Sequence, residues 1–285
     1  MRLLLLICAA LLSETVFGDN SDANKCYQCV NENAQMNWQL FGLSPNVMPS
    51  FFKNCDNPAT SNDPNIQVPC PGHCVQYLMA YNTKTPAQTD SLVQFTLRGC
   101  STTLSLPSSP HVKPEGTATS YCETDLGLKK NLVLGNPPVS LRVYLRYCYG
   151  NNTEKSCNTE LNADFDTAVK NCPPTNLNLR KCYECQSTDR DCAENDSVKK
   201  RYCMKTKVAV GNSYVVHKIS SNVNPFGVNQ YCESDYKGNS MLAGSIISSD
   251  TVSTCYCQDK DYCNGASLAS VLMALKIALI ALFVR

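Results

Sequence analysis

The cysteines of this chain form a pattern that occurs twice, and this repeat limits the possible folds more than any other feature. Three short motifs recur in the same order: Lys-Cys-Tyr-x-Cys, Tyr-Cys-Glu-x-Asp, and a Cys-Tyr pair followed by a polar loop and Cys-Asn. Their copies begin at Lys25 and Lys181, at Tyr121 and Tyr231, and at Cys148 and Cys255. Self-similarity of this kind indicates tandem homologous units. We therefore predict a first module at residues 24–172, a linker at 173–180 and a second module at 181–264.

The N-terminal residues are typical of a secretory signal peptide. Arg2 gives a positive start, residues 3–12 are apolar, and Val16-Phe17-Gly18 precedes the expected cleavage site. We expect a signal peptide at residues 1–18 and a mature chain that begins at Asp19. Because Cys8 leaves with this segment, eighteen of nineteen cysteines remain. An even, high number in an exported chain predicts a disulfide framework rather than free thiols.

Charge and glycosylation motifs agree with an extracellular protein. The net charge is +1 and the sequence has no basic cluster, which argues against a nucleic-acid partner. Asn151 and Asn195 begin Asn-x-Ser/Thr sequons and are the predicted glycosylation sites.

The C-terminal tail is predicted to be a glycosylphosphatidylinositol (GPI) attachment signal. Asn264 is followed by small residues and then by the apolar stretch 268–284, as such a signal requires, although the polar spacer is nearly missing. Gly265 and Ser267 are alternative attachment residues, and residues 265–285 are the expected propeptide. The competing interpretation is a transmembrane helix, but the stretch has seventeen residues where a span needs about 20. Lys276 would also lie within the bilayer at a cost of roughly 2.5–3.5 kcal/mol, so the lipid anchor is favoured.

The pattern between the cysteines predicts β-hairpins. Residues 201–210 and 214–221 are rich in β-branched residues and flank the turn Gly211-Asn212-Ser213. Residues 74–81 and 91–100 form the equivalent pair in the first module. Other strands are expected at 139–147 and before Thr254, and a short helix is expected from the helical spacing of Leu161, Phe165, Ala168 and Val169.

Cys-x-x-Cys at the start, hairpin excursions and a terminal Cys-Asn before a GPI signal resemble the three-finger domain of the urokinase-receptor and lymphocyte-antigen family. The resemblance covers both modules and implies an all-β, disulfide-rich fold of two tandem three-finger (LU-type) modules. It also implies the cysteine pairing, which spacing alone leaves open. The implied pairs are Cys26–Cys74, Cys29–Cys55, Cys70–Cys100 and Cys122–Cys148 in the first module, and Cys182–Cys203, Cys185–Cys192, Cys232–Cys255 and Cys257–Cys263 in the second.

The closing motif of the first module departs from this pattern. When the two motifs are aligned on Cys-Tyr, Gly150 stands where the second module has Cys257, so that Cys157 loses its usual partner. Cys172 remains, and we expect a Cys157–Cys172 bridge. The alternative, Cys148–Cys157 together with Cys122–Cys172, stays open.

Catalytic interpretations find little support. The Cys-x-x-Cys motifs lie in a disulfide framework without a βαβ pattern, and no nucleophile elbow or phosphate loop occurs. His73, His111 and His217 have no paired zinc-ligand spacing. The carboxylates of the Tyr-Cys-Glu-x-Asp motif recur in both modules, which favours a structural role. We expect no catalytic residue, cofactor or metal.

Binding sites are expected on loops, because loops on a rigid scaffold commonly carry recognition. Trp38, Phe41, Phe51 and Phe52 could form an exposed contact patch or a cluster packed beneath their own long loop. The turns at 82–90 and 210–214 are the other candidates.

We therefore expect a non-enzymatic, GPI-anchored protein on the outer leaflet of the plasma membrane, which binds an unidentified cell-surface or secreted protein. The family resemblance implies receptor, co-receptor or channel modulation, or cell adhesion. The alternative is a secreted three-finger ligand or toxin-like modulator, and a remote alternative is a disulfide-rich hydrolase.

Overall fold

The computed structural model describes residues 24–60, 63–83, 91–107, 120–130, 138–149, 156–159, 165–172, 178–226, 230–242 and 245–265. The predicted signal peptide, the tail from residue 266, Asn151, His111 and the side chain of Asn195 lie outside this description. In the part described, no helix is long and apolar enough to cross a membrane.

The described residues are mainly strands. These are β1 (Asn24–Tyr27), β2 (Cys29–Val30), β3 (Gln67–Cys70), β4 (Cys74–Thr83), β5 (Ser91–Cys100), β6 (Ser120–Lys130), β7 (Val139–Cys148), β8 (Arg180–Tyr183), β9 (Cys185–Thr188), β10 (Asn195–Lys200), β11 (Tyr202–Val210), β12 (Ser213–Ser221), β13 (Gln230–Leu242) and β14 (Ser245–Cys257). The α-helices are α1 (Glu32–Met36) and α2 (Phe165–Lys170). An all-β, disulfide-rich fold class is thus confirmed.

The strands form two five-stranded antiparallel sheets with the same internal order. The first sheet runs β2-β5-β4-β7-β6, and the second runs β9-β12-β11-β14-β13. A two-stranded sheet accompanies each, β1 with β3 and β8 with β10. The predicted hairpins are therefore present, and the internal repeat seen in the sequence has a counterpart in strand topology.

The central hairpin of the second module shows how the local sequence produces the fold. Strands β11 and β12 pair in an unbroken register from Tyr202 opposite Ser221 to Val210 opposite Ser213. Gly211 in the turn has a φ of +57°, in the left-handed region that a residue without a Cβ adopts most easily. The turn therefore closes directly onto the two β-rich segments, as expected.

A single apolar cluster contains side chains from both modules. Tyr77 and Tyr147 from the first sheet belong to the same group of contacting residues as Met204, Phe226 and Tyr256 from the second module. The main hydrophobic core thus extends across the junction. Burial of apolar side chains therefore holds the two modules together, while the disulfides act within each module.

Most of the expected disulfides form. They are Cys26–Cys74, Cys29–Cys55 and Cys70–Cys100 in the first module, and Cys182–Cys203, Cys185–Cys192 and Cys257–Cys263 in the second. Cys255 is also disulfide-bonded and lies opposite Cys232 in the ladder, although the side chain of Cys232 lies outside the described residues.

The two expected pairings at the end of the first module are wrong. Cys122–Cys148 and Cys157–Cys172 were expected, but Cys122 is bonded to Cys172 and Cys148 to Cys157, which is the alternative that the sequence left open. The register between β6 and β7 gives the reason: Cys148 lies opposite Ser120, so that Cys122 has no cysteine across from it.

Strand pairing shows that the closing motifs align differently from the sequence expectation. Cys148 lies opposite Cys74 of β4, and Cys257 lies opposite Cys203 of β11. Cys148 therefore corresponds to Cys257, and its bridge to Cys157 corresponds to Cys257–Cys263. The sequence alignment that set Gly150 against Cys257 is therefore wrong.

The cysteine that the first module lacks is the counterpart of Cys255. In the second module, Cys255 lies opposite Cys232. In the first module, Arg146 lies opposite Cys122, so Arg146 takes the place of Cys255. The bridge of Cys122 goes instead to Cys172, just beyond α2.

Helix α2 covers one face of the first sheet. Phe165, Ala168 and Cys172 pack with Leu78 and Tyr144 in a second apolar cluster. The helix predicted from spacing thus exists, and it positions the sulfur that replaces the missing cross-strand partner.

Candidate functional site: module closures, junction and hairpin tips

Each module is closed by a buried asparagine that directly follows a disulfide cysteine. In the first module, Asn158 Oδ1 accepts from the Tyr27 amide at 2.9 Å, and its Nδ2 donates to the carbonyls of Tyr27 (2.9 Å) and Val75 (3.1 Å). The side chain thus joins β1, β4 and the closing loop, and satisfies three backbone groups away from water.

The second module repeats these contacts atom for atom. Asn264 Oδ1 accepts from the Tyr183 amide at 3.1 Å, and its Nδ2 donates to the carbonyls of Tyr183 (2.9 Å) and Met204 (3.0 Å). Asn264 is only 4% exposed. Three matched bonds on equivalent strands indicate that both asparagines have the same structural role.

The junction between the modules centres on the carboxylate of Glu123 in β6. The Arg201 guanidinium pairs with Glu123 Oε1, which also accepts from the Tyr202 hydroxyl at 2.9 Å, while Oε2 accepts from the Asn224 amide at 2.8 Å. Burial raises the pKa of Glu123, and the charge of Arg201 opposes that rise. The Tyr121 hydroxyl from the same strand also donates to Oε1 at 3.1 Å, and the other partners come from the second module.

Asp125, two residues further along the same strand, makes a second set of bonds across the junction. Lys200 Nζ lies 2.9 Å from both carboxylate oxygens and from the Gly127 carbonyl. Asp125 Oδ2 also accepts from the Asn222 amide at 2.8 Å. A Glu-x-Asp sequence suits this task because alternate residues of a strand point to the same face.

A buried lysine lies at the end of the same strand. Lys130 is 5% exposed and its Nζ donates to the Leu40 carbonyl. Burial lowers the pKa of Lys130 to about 7. His217 on β12 of the second module is partly buried, and its pKa is lowered to about 4 by burial and by the charge of Lys130.

Of the two interpretations of the aromatic loop, the exposed patch does not describe Trp38 and Phe41. They are 6% and 0% exposed and belong to the main core. Trp38 Nε1 donates to the Ser44 carbonyl at 3.1 Å, and the Phe41 ring meets the Tyr77 ring edge-on at 5.1 Å. The alternative, a cluster packed beneath its own loop, describes them.

The other two aromatic candidates lie apart from that core. Phe51 is 45% exposed, and its backbone forms an isolated bridge with Val30. Phe52 is partly exposed, and its amide donates to the Val30 carbonyl at 2.9 Å. The four candidate residues thus do not share one contact surface.

Of the two hairpin tips, the one in the second module is described in side-chain detail. Lys207 Nζ lies 4.2 Å from the centroid of the Tyr214 ring. Asp189 accepts from the Tyr214 amide at 2.8 Å and returns its own amide to the Tyr214 carbonyl at 2.9 Å. This fixes the tip against the loop closed by Cys185–Cys192. In the first module, residues 84–90 of the corresponding turn lie outside the description.

In the described part of the chain, the grouped side chains that could hold a metal ion are nearly all disulfide-bonded cysteines. Three groups of nearby ligand atoms occur, and all their members except Asp259 are disulfide-bonded cysteines, which offer no thiolate. His73 is buried and its ring meets the Tyr147 ring edge-on at 5.1 Å.

Comparisons with protein-family models, with curated proteins and with solved structures find no match. The features that bear on function are therefore internal to the chain. They are the repeated strand order, the two asparagine closures and the ionic junction between the modules.

Sequence reasoning missed the second-module half of the junction. The first copy of Glu-x-Asp makes structural contacts, as expected, but Lys200, Arg201 and the amides of Asn222 and Asn224 were not linked to it. The side chains of the second copy lie outside the described residues. The adjacent basic pair just before Tyr202 was the available signal, since buried carboxylates need cationic partners.

Proposed function

We propose that this protein is a GPI-anchored, two-module three-finger protein of the cell surface that binds another protein and has no catalytic activity. The observation that carries the proposal is the duplicated closure, in which a terminal asparagine pins two strands of a disulfide-linked β-sheet. An apolar tail begins within a few residues of the second copy. The short distance between the closure and the apolar tail supports a lipid anchor directly after the second module.

The proposed scaffold leaves only part of its surface available for a partner. Apolar side chains of both modules are buried in one shared core, and α2 packs against Leu78 and Tyr144 of the first sheet. The tip around Lys207, Tyr214 and Asp189 remains at the end of a hairpin. A paired cation and aromatic ring on a braced turn suits recognition of a polar protein surface.

The anchor is tested on cells that express the full chain. Treatment with a phosphatidylinositol-specific phospholipase should release the protein into the medium with its ectodomain intact. A transmembrane protein would stay with the cells, and a secreted ligand would be found in the medium before treatment. Either result would overturn the anchored topology.

The binding surface is tested with the ectodomain, residues 19–264, in a screen against surface and secreted proteins. For a partner so identified, Tyr214→Ala and Lys207→Ala should each weaken binding by about tenfold or more, the loss expected for an interface anchor. Phe51→Ala is the matched control, since Phe51 is an exposed aromatic outside this tip. Undiminished binding by both tip variants would exclude the tip as the contact.

A further inference from the structure

Resting on the proposed lipid anchor, we infer that the lipid is attached to the carboxyl group of Gly265, and not to Asn264 or Ser267. The sequence leaves these three residues as candidates, because each is small enough for an attachment residue. The geometry around the second closure distinguishes them.

Asn264 has a structural role that accounts for its presence. Its three hydrogen bonds to Tyr183 and Met204 reproduce those of Asn158, which occupies the equivalent place within the chain and is followed by a further module. An asparagine is thus required at this position of a module whether or not a lipid follows. The match of Asn264 to an attachment residue needs no anchor to explain it.

The peptide bond between Asn264 and Gly265 is held in place by contacts with the fold. The Gly265 amide donates to the Tyr262 carbonyl at 3.0 Å, and Lys205 Nζ reaches the Gly265 carbonyl at 3.4 Å. A Cβ at position 265 would lie 3.2 Å from the Tyr262 carbonyl oxygen and 3.4 Å from a ring carbon of Tyr183. An enzyme that cleaved this bond would have to open the closure and would remove Gly265 from it.

Attachment at Gly265 leaves every one of these contacts in place. The amide of Gly265, its carbonyl oxygen and the Asn264 side chain all lie on the retained side of the bond to Ala266. Cleavage of the bond to Ala266 therefore breaks none of these hydrogen bonds.

The residues that follow exclude Ser267. An attachment signal needs small residues at the attachment site and at the next two positions. Gly265-Ala266-Ser267 satisfies this requirement, whereas Ser267-Leu268-Ala269 places a leucine at the second position. Gly265 is therefore the candidate that meets both the structural and the sequence requirement.

The reaction is a transamidation, without oxidation or reduction. The amide bond from the Gly265 carbonyl carbon to the Ala266 nitrogen breaks, and a new amide bond forms from that carbon to the amino nitrogen of a phosphoethanolamine-bearing glycolipid. The proton lost by this amine balances the one gained by the nitrogen of Ala266, and the peptide 266–285 is released.

Mass spectrometry of the full-length protein expressed in cells tests the assignment. After hydrofluoric acid has removed the glycolipid, the C-terminal peptide should end in Gly265 bearing ethanolamine. Ethanolamine on Asn264 or Ser267 would overturn the inference and leave the anchor intact. A C-terminal peptide without ethanolamine would overturn the proposed anchor itself.

A substitution at Ser267 provides an independent test. Ser267→Leu places a large residue two positions after Gly265 but three positions after Asn264. If Gly265 is the attachment residue, this variant should lose at least tenfold of the phospholipase-releasable surface protein, while Ser267→Ala should retain it. Unchanged anchoring of Ser267→Leu would return the assignment to Asn264.

Discussion

The third hairpin is fastened differently in the two modules, although the strand order around it is the same. In the second module, Cys255 is disulfide-bonded, and it lies opposite Cys232 in the sheet. In the first module, Arg146 holds the equivalent position, and Cys122 is bonded to Cys172 beyond α2. The same hairpin can thus be held from within its sheet or by a segment packed against it, and the second solution recruits the inter-module segment into the first module.

The third hairpin of the first module also forms the ionic part of the junction, through Glu123 and Asp125 of β6. Its counterpart β13 contacts the loop that contains Phe41 and the residues after it. The two modules therefore use corresponding hairpins at their mutual interface. The ionic contacts, however, come from the third hairpin of the first module, which pairs with Lys200 and Arg201 of the second module.

Removal of the Cys122–Cys172 bridge tests whether α2 fastens the first module. The double variant Cys122→Ala/Cys172→Ala opens a loop with a sequence separation of 50 residues, and the free energy of unfolding should fall by about 4 kcal/mol. Cys257→Ala/Cys263→Ala opens a separation of only 6 and should cost about 2 kcal/mol. Denaturant titration without reductant measures both. A smaller cost for the longer loop would show that α2 is dispensable.

The ionic junction is the next largest effect. Glu123→Gln keeps the shape of the side chain but leaves Arg201 without its buried counter-charge, so the free energy of unfolding should fall by about 3 kcal/mol. Lys129→Gln is the matched control, since Lys129 pairs with Glu184 from an exposed position and should contribute less than about 1 kcal/mol.

A double-mutant cycle locates the Glu123 effect in the junction. Glu123→Gln combined with Arg201→Gln should cost less than the sum of the two single variants, because the second change removes the unpaired charge left by the first. Additive costs would mean that Glu123 acts independently of the second module.

The sequence predicted the strands, the hairpins and most of the bridges because cysteine spacing and β-rich patterns are local signals. It misaligned the closing motifs by two residues for a physical reason. Successive side chains alternate between the faces of a strand, so a shift of two residues leaves the apolar pattern unchanged. Tyr147-Cys148 and Cys148-Tyr149 both match Cys255-Tyr256-Cys257 in part, and only the pairing of β7 with β4 distinguishes them.

The candidate sites were harder to predict, because burial depends on contacts between distant parts of the chain. Trp38 and Phe41 are residue types that often anchor interfaces, yet both are buried in a core that includes Tyr256 from the second module. The sequence contains no local signal for that packing. Glu123 and Arg201 are 78 residues apart, and pairing at such a distance is likewise invisible to spacing rules.

The two asparagine closures provide the test of equivalence between the modules. Asn158→Asp and Asn264→Asp each replace an amide donor by a carboxylate oxygen that faces two backbone carbonyls. Each should cost about 2 kcal/mol of unfolding free energy, since two buried acceptors lose their donor. Unfolding followed by denaturant titration should give equal losses within error. A negligible loss in one module alone would show that the matched contacts have different importance.

Lys130 is expected to have the smallest effect on the free energy of unfolding, and that effect depends on pH in a way that distinguishes Lys130 from other groups. Its pKa is lowered to about 7 in the folded protein, while the unfolded chain titrates near the ordinary lysine value of about 10.4. Between these values the unfolded state binds more protons, so this group makes stability rise with pH above about 7 and contributes no slope well below it. Lys130→Met removes the titration, and the wild-type protein should gain about 1 kcal/mol more than the variant between pH 7 and pH 8.

The variant also separates Lys130 from its neighbour across the junction. His217 titrates near pH 4, so it cannot produce a difference between pH 7 and pH 8. Denaturant titrations at pH 6, 7, 8 and 9 should show parallel curves at the acid end and divergence above pH 7. Parallel curves throughout would mean that the Lys130 amine reaches water, and that the end of the first module's third hairpin is not sealed against the second module.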